Sequence, residues 1–224
     1  MMNIKKTLLF VLTLFVIGCQ SETKDPIVEF QQSLINDGKT GSNVFMVYKD
    51  GEIVYDKVLN SGALGDRDIN ENTIFAIHSM TKTVTTVATM ILHEKGLFQL
   101  DDPVHKYMPE FKQIQCKGPE GVYNCKNELK VVDLLTHRSG YVYYLDNGDN
   151  WLTGTHRSLY PSYINTSRFS NLDDFSKAVA KQPLEFEPGT MYAYGLNQAL
   201  LGRFIEVVSG QDFYEFLKDN IFDH

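Results

Sequence analysis

The feature that most limits how this chain can fold is a change of hydrophobic period. Val44-Phe45-Met46-Val47-Tyr48 and Glu52-Ile53-Val54-Tyr55 are short β-type runs on either side of Lys49-Asp50-Gly51. An Asp-Gly pair between such runs asks for a hairpin turn. From Thr83 onward the period becomes helical, with Val84, Val87, Ala88, Ile91 and Leu92 on one face and Gly96 as the stop. Leu196, Ala199, Leu200, Phe204, Val207 and Val208 mark a second long helix closed by Gly210, and Phe213, Phe216 and Leu217 begin another. Shorter helical stretches are expected at Ile27–Ile35, around Asp133-Leu134-Leu135 and from Asp173 to Lys181. Residues 141–170, rich in Tyr, Asn, Gly and Ser, read as a long surface excursion. Early strands followed by helices describe a mixed α+β chain; strand order is not readable. Its 224 residues suffice for one domain with a sizeable core, or for two small ones.

Charge excludes one class of partner. The net charge is −7 and no basic cluster interrupts it, so nucleic acid would be repelled rather than drawn in. The N-terminus carries a different message. Lys5 and Lys6 precede an apolar run from Leu8 to Ile17, which ends at Gly18-Cys19. That run is too short for a ~30 Å bilayer core and fits the apolar region of a secretory signal. Val16-Ile17-Gly18-Cys19 also resembles the lipobox of bacterial lipoproteins. The resemblance implies cleavage before Cys19, a lipid on that cysteine, and a membrane partner through the anchor. The expected location is the bacterial cell envelope, on the periplasmic side or at the outer membrane. Residues 1–18 are then the signal, 19–26 a polar tether and 27–224 the working domain. Cys116 and Cys125 remain, separated by the turn-rich Lys-Gly-Pro-Glu-Gly-Val-Tyr-Asn; a disulfide and two free thiols both fit. No CxxC or His/Cys cluster suggests a metal, and no cofactor is implied.

The chemistry centres on Ser79-Met80-Thr81-Lys82, where a strand is expected to give way to the first long helix. At i and i+3 on a helix, hydroxyl and amine project from one face. Serine is a poor nucleophile until a neighbouring base takes its proton, and lysine serves as that base if burial or nearby cations lower its pKa. The helix N-terminus favours a developing anion. The spacing alone is weak, since Ser21-Glu22-Thr23-Lys24 repeats it inside the polar tether.

Context makes it specific. Phe75-Ala76-Ile77-His78-Ser79-Met80-Thr81-Lys82 is followed by Leu100-Asp101-Asp102-Pro103-Val104 and Tyr107-Met108-Pro109-Glu110-Phe111. Then come Leu134-Leu135-Thr136-His137-Arg138-Ser139-Gly140, Pro183 to Thr190, Tyr192-Ala193-Tyr194-Gly195-Leu196, Leu201-Gly202-Arg203 and Glu206 to Gly210. In this order, from about Val44 to the end, the stretches resemble the serine β-lactamase-like family. That family includes class C β-lactamases, penicillin-binding DD-peptidases and related esterases. The resemblance implies an antiparallel sheet flanked by helices, with an added helical region, an α/β sandwich within the α+β class. It makes Ser79 the acylated nucleophile, Lys82 its base partner, and Tyr194 the second-motif tyrosine that shares protons with both. The Ser79 backbone N–H becomes half of an oxyanion hole. An ester, an amide or a cell-wall peptide is the implied substrate.

The chain departs from the family in two places. Leu196 stands where the second motif often has asparagine, which resembles the esterase-like branch and weakens a β-lactam-resistance reading. The third motif, Lys-Thr-Gly or His-x-Gly on a late strand, is not found after Tyr194. Lys39-Thr40-Gly41 and Tyr163-Ile164-Asn165 match the third and second motifs literally, but in the wrong context, and are read as decoys. His78 is expected to be a packing residue and His137 to order a loop near the pocket. Full-length relatives are expected to run on into closing strands that this chain lacks, leaving an open strand edge at the early hairpin. The rival reading is thus a catalytically incomplete envelope lipoprotein.

Overall fold

The computed structural model describes residues 25–143, 149–150, 155–156 and 169–223. The signal, Cys19, the Ser21–Lys24 decoy, Tyr163-Ile164-Asn165 and most of the expected excursion lie outside the described residues. The chain divides into two compact units between Ala76 and Ile77.

In the first unit the leading helix runs one residue beyond the expected Ile27–Ile35 at each end. Asp25 and Pro26, expected to close the tether, instead start helix α1 (Pro26–Asn36). Asp25 is the N-cap, accepting from the Ile27 N–H at 2.9 Å, and proline suits the first helical position because it has no N–H to leave unpaired. The other Asp25 oxygen accepts from the Tyr55 hydroxyl at 2.7 Å. Burial, and then that acidic partner, push the Tyr55 phenol up to about 12. Strands β1 (Asn43–Lys49) and β2 (Glu52–Leu59) pair antiparallel with Lys49 opposite Glu52. The turn between them holds Asp50 at φ 53° and Gly51 at φ 88°, the two positive values that an Asp-Gly hairpin turn requires. Buried Gln31 fastens α1 to this hairpin by donating to Asn43 Oδ1 at 2.7 Å.

Thr73–Ile77 does not form the strand expected to lead into Ser79. Ile74, Phe75 and Ile77 are exposed and the run has no ladder pairing among the described residues. Alternating or apolar character cannot hold a strand without a partner for its backbone groups.

The second unit is organised by helix α2 (Thr81–Glu94) and helix α5 (Asn197–Ser209), whose apolar faces enter one core. Phe204 of α5 is fully buried and meets Phe98 and Tyr107 edge to face at 5.0 and 5.1 Å. The Leu-Asp-Asp-Pro-Val stretch is a buckle beneath them. Asp102 accepts from the Tyr107 hydroxyl at 2.6 Å and the Gln99 N–H at 2.8 Å, and those bonds, with Lys106, lower its carboxyl to about 2. Its backbone carbonyl receives the Val131 N–H at 3.1 Å, which starts helix α3 (Val131–Leu135). Helix α4 (Leu172–Ala180) is capped by Asn171 and tied to α5 by Arg203, which reaches Asp173 at 2.8 Å. A short helix α6 (Phe213–Leu217) follows.

Two features were not expected from sequence. Strands β3 (Gln115–Gly118) and β4 (Gly121–Asn124) form a second hairpin, whose polar sequence shows no alternation. Of the two states that fit the sequence for Cys116 and Cys125, the structure has the disulfide, which closes this hairpin with Cα atoms 5.1 Å apart. The strand β3 edge then takes a further segment: Lys117 N–H donates to Leu184 O at 2.8 Å, and Leu184 N–H to Gln115 O at 2.7 Å. The start of the expected surface excursion is also internal. Tyr141 is buried against Phe111, and Val142 bridges Gly195 antiparallel. Among the described residues of that stretch, β5 (Asp149–Asn150) pairs with β6 (Thr155–His156).

Gly195 is required by this approach, because a Cβ there would sit 1.9 Å from the Tyr141 carbonyl oxygen and 2.8 Å from Val142 Cα. Two outcomes follow. Phe204→Ala is expected to cost about 3–5 kcal/mol by urea unfolding, the penalty for emptying a close-packed aromatic site. Gly195→Ala is expected to separate Tyr141–Val142 from the segment before α5, read as increased amide exchange at Leu196, whose N–H bonds to Tyr141 O at 3.2 Å.

Candidate active site

Ser79 lies in a 3-10 turn, His78–Met80, directly before α2. His78 takes a left-handed backbone, φ 45°, and this bend feeds the chain into the helix without a side-chain cap. The sequence reading of His78 as a packing residue is corrected: the left-handed bend leaves its side chain exposed. Ser79 is exposed as well, and Lys82, one turn into the helix, is half-buried.

The three residues singled out from sequence converge. The Lys82 ammonium donates to Ser79 Oγ at 3.2 Å. The Tyr194 hydroxyl, 115 residues away along the chain, reaches the same oxygen at 2.8 Å. Lys82 Nζ also lies 4.7 Å from the centroid of the Tyr194 ring, close enough for a cation–π attraction. Tyr143 completes the group, with its ring 5.6 Å from that of Tyr194.

The electrostatics differ from the sequence expectation for Lys82. A lysine acting as base needs a lowered pKa, but that of Lys82 is raised. Burial pulls it down, and the hydrogen bond with Tyr194, the Tyr143 charge interaction and the remaining phenol contacts outweigh that pull. Tyr194 moves the opposite way: burial pushes its phenol up, but the bonds with Lys82 and Ser79 and the Lys82 charge bring it below its ordinary value. The phenol is thus the group that loses its proton first, and the lysine is the cation that makes this possible.

His137 stands behind Tyr194, in line with the expected loop-ordering role. It ends the turn after α3 with φ 56°, and its ring stacks on that of Tyr194 at 4.9 Å. Its carbonyl accepts the Ala193 N–H at 2.9 Å. Its Nδ1 faces the Gly195 N–H at 3.4 Å and Asn197 Nδ2 at 2.8 Å. Burial and the nearby Lys82 charge lower the His137 pKa, so the ring is held neutral.

Leu196, in the position of the family's asparagine, is buried in the core. The next residue, Asn197, is completely buried at the start of α5 and brings an amide to His137 instead. Its Oδ1 has no partner among the described residues, a cost of about 1–3 kcal/mol that the bond to Nδ1 partly offsets. Sequence reasoning missed both Asn197 and Tyr143. A buried amide opening a helix was a signal for the first; nothing separated Tyr143 from its many neighbouring tyrosines. Lys39-Thr40-Gly41 occupies the loop between α1 and β1, where Lys39 pairs with Asp37 at 3.0 Å.

Among the described residues one cluster brings three potential metal ligands together, Cys116, Cys125 and Glu187. Its sulfurs are bonded to one another, and the Glu187 carboxylate accepts the Lys126 and Asn127 N–H groups at 3.0 Å. Such a donor set is already spent.

A family model described as "Beta-lactamase" matches residues 28–224. Among curated relatives, Esterase EstB of Burkholderia gladioli is 31% identical over 186 residues, covering 81% of this chain and 44% of that protein. The chain therefore spans less than half the length of that relative. Among solved structures, "EstCE1, a hydrolase with promiscuous acyltransferase activity" superposes with a TM-score of 0.68 at 20% identity, over 88% of this chain and 50% of that one. The octameric penicillin-binding protein homologue from Pyrococcus abyssi superposes at 0.62 with 26% identity, over 88% of this chain and 42% of that one. The fold is thus that of the β-lactamase and transpeptidase-like proteins, of mixed α+β class. With the family model running from residue 28 to residue 224, the chain belongs to the beta-lactamase family.

Proposed function

We propose that this chain carries the nucleophile of a serine hydrolase that cleaves an ester or amide through an acyl-enzyme on Ser79. The observation that carries the reading is the convergence of Lys82 and Tyr194 on one serine hydroxyl, at 3.2 and 2.8 Å. In this reading the Tyr194 phenolate takes the Ser79 proton as Oγ attacks the acyl carbon. The carbonyl electrons move to oxygen, and the Ser79 N–H at the start of α2 donates to that oxyanion. Collapse expels the leaving group, which leaves with the proton from Tyr194. Water, deprotonated by the same phenolate, then attacks the acyl-serine; collapse breaks the bond to Oγ, Tyr194 returns the proton to that oxygen, and the carboxylic acid is freed. Lys82 remains an ammonium throughout. Esterase EstB among the relatives and the burial of Leu196 support an ester over a β-lactam, since no second-motif amide is there to engage a β-lactam side chain. We also propose, on the sequence pattern alone, that a lipid on Cys19 holds the protein at the cell envelope.

Labelling of the purified chain with a fluorophosphonate and with a fluorescent penicillin, beside Ser79→Ala, tests this. Ser79-dependent labelling by the phosphonate alone is expected. Labelling by neither probe overturns catalysis for this chain and favours a non-catalytic envelope lipoprotein. Tyr194→Phe is expected to slow phosphonate labelling about 10²–10⁴-fold, the usual worth of a positioned acid–base. The pH profile has a definite sign. The Tyr194 pKa is lowered from 10.0 and that of Lys82 raised from 10.5, so labelling rises on a limb below pH 10.0 and falls only above 10.5. Lys82→Met removes the cation and is expected to move the rising limb upward; an unmoved limb contradicts the phenolate assignment.

A further inference from the structure

Tyr194 is exposed, yet its hydroxyl must stay on one serine oxygen to serve the reaction proposed above. An exposed phenol on an irregular segment has no helix or ladder of its own to fix it. What fixes it is on the other side of the ring. His137 binds residues before and after Tyr194 at once: its carbonyl takes the Ala193 N–H at 2.9 Å, and its Nδ1 faces the Gly195 N–H at 3.4 Å. The Asn197 amide, at 2.8 Å from the same Nδ1, extends the grip to the first residue of α5. The ring itself lies on the Tyr194 ring at 4.9 Å with 29° between planes.

The protonation state of the imidazole follows from these bonds. A backbone N–H can only donate, so the Gly195 contact makes Nδ1 an acceptor and places the ring proton on Nε2. With Nδ1 an acceptor, the Asn197 amide presents its NH₂, as the geometry has it. A proton added to Nδ1 would meet two donors and release both. The titratable groups facing the ring are Lys82 from α2, and Tyr192 and Tyr194 from the segment before α5. Lys82 is the charged one, and it opposes a second positive charge beside it.

We infer that neutral His137 is the positioning residue of the Tyr194 phenol, clamping residues 193–197 through its carbonyl and its unprotonated Nδ1. The hydrogen bonds of His137 go to Ala193, Gly195 and Asn197, so it acts through the segment that carries Tyr194. This rests on the reading of Tyr194 as the proton carrier, so its test has an arm that does not depend on turnover.

The backbone at His137 limits which substitutions are informative. At φ 56° alanine would add strain of its own, whereas glycine and asparagine both accept the left-handed region. His137→Gly removes acceptor and ring together. His137→Asn places an amide oxygen where Nδ1 stood and does not titrate. The full chain, labelled with [¹³Cζ]tyrosine and with the Tyr194 signal assigned by Tyr194→Phe, is titrated in each variant. The same proteins are labelled with a fluorophosphonate between pH 5 and 9. In His137→Gly the Tyr194 phenol is expected to titrate at its ordinary value, and Ser79 labelling at pH 8 to fall about tenfold to a hundredfold, as misplacement of a reacting group by about 1 Å does. His137→Asn is expected to restore both to near wild type. The wild type is further expected to lose labelling on an acid limb below pH 6.5, the ordinary histidine value, and His137→Asn to lack that limb. Unchanged Tyr194 titration and labelling in His137→Gly would overturn the inference. So would slow labelling in both variants with the Tyr194 titration unmoved, which is the mark of a merely structural role. If the wild type fails to label at Ser79, the hydrolase reading fails while the tyrosine titration still decides the role of His137.

Discussion

The bond from the Tyr194 hydroxyl to Ser79 Oγ, 2.8 Å long, joins residues 115 apart in the chain, and most of the second unit bears on keeping it. Ser79 is placed by a short local device, a left-handed His78 followed by one 3-10 turn and the first turn of α2. Tyr194 has no such local support. It is held from beneath, where Gly195 lets the chain lie against Tyr141 and Val142. It is held again at Leu196 and Asn197, which are buried as α5 begins. Because α5 shares its core with α2 through Leu200, Phe204 and their neighbours, the two halves of the site rest on one packed interior. A close-packed interior passes displacement on rather than absorbing it, so substitutions far from Ser79 are felt at the hydroxyl.

The charge arrangement follows from the same convergence. Had Lys82 been enclosed among apolar side chains, burial would have lowered its pKa and made it a base in its own right. Instead it faces two phenols, Tyr194 and Tyr143, and those acidic partners favour its charged form. The cation in turn lowers the Tyr194 phenol. Each group moves the other, so the two protons belong to the pair, and the pair stores its readiness in Tyr194. The i, i+3 spacing describes one helix face, and the phenol that a distant segment lays across it decides which of the groups gives up its proton.

This marks how far the sequence is legible. Spacing says how Ser79 and Lys82 stand to one another, because one helical turn fixes their separation whatever the remainder of the chain does; only the stretches shared with the family single this pair out from Ser21 and Lys24. The β1–β2 hairpin is legible for the same reason, since Asp50-Gly51 carries its turn conformation in two residues. Tyr194 is reachable only through resemblance to a family, because no local pattern says which tyrosine comes back to the serine. The β3–β4 hairpin is hidden by polar side chains; it is held by a disulfide and by Leu184 on its outer edge, and neither shows as alternation. Thr73–Ile77 errs the opposite way, strand-like in sequence but without a ladder among the described residues. His78 is misread because its role is a backbone angle and not a side chain. Asn197 is harder to read because its complete burial as α5 begins, rather than its residue type, brings its amide to His137.

The hidden hairpin has more bearing on the site than its distance in sequence suggests. Strand β3 takes Leu184 on its edge, and Lys117 pairs with Glu185 beside it. Glu187 then accepts the Lys126 and Asn127 N–H groups that follow Cys125. Next, the Gly189 N–H donates to Arg138 O at 2.9 Å, and the Arg138 guanidinium reaches back to the Gly189 carbonyl. The next such bond along the chain is Ala193 to His137, directly before Tyr194. From Leu184 to Tyr194 the chain therefore runs through successive anchors, first on the disulfide-closed hairpin and then on the turn after α3. These anchors are backbone bonds and charged side chains at partly exposed positions, beginning from Leu184, which is itself buried in the core. The path to Tyr194 is accordingly specified in direction and register, which an oily surface would leave free to slide.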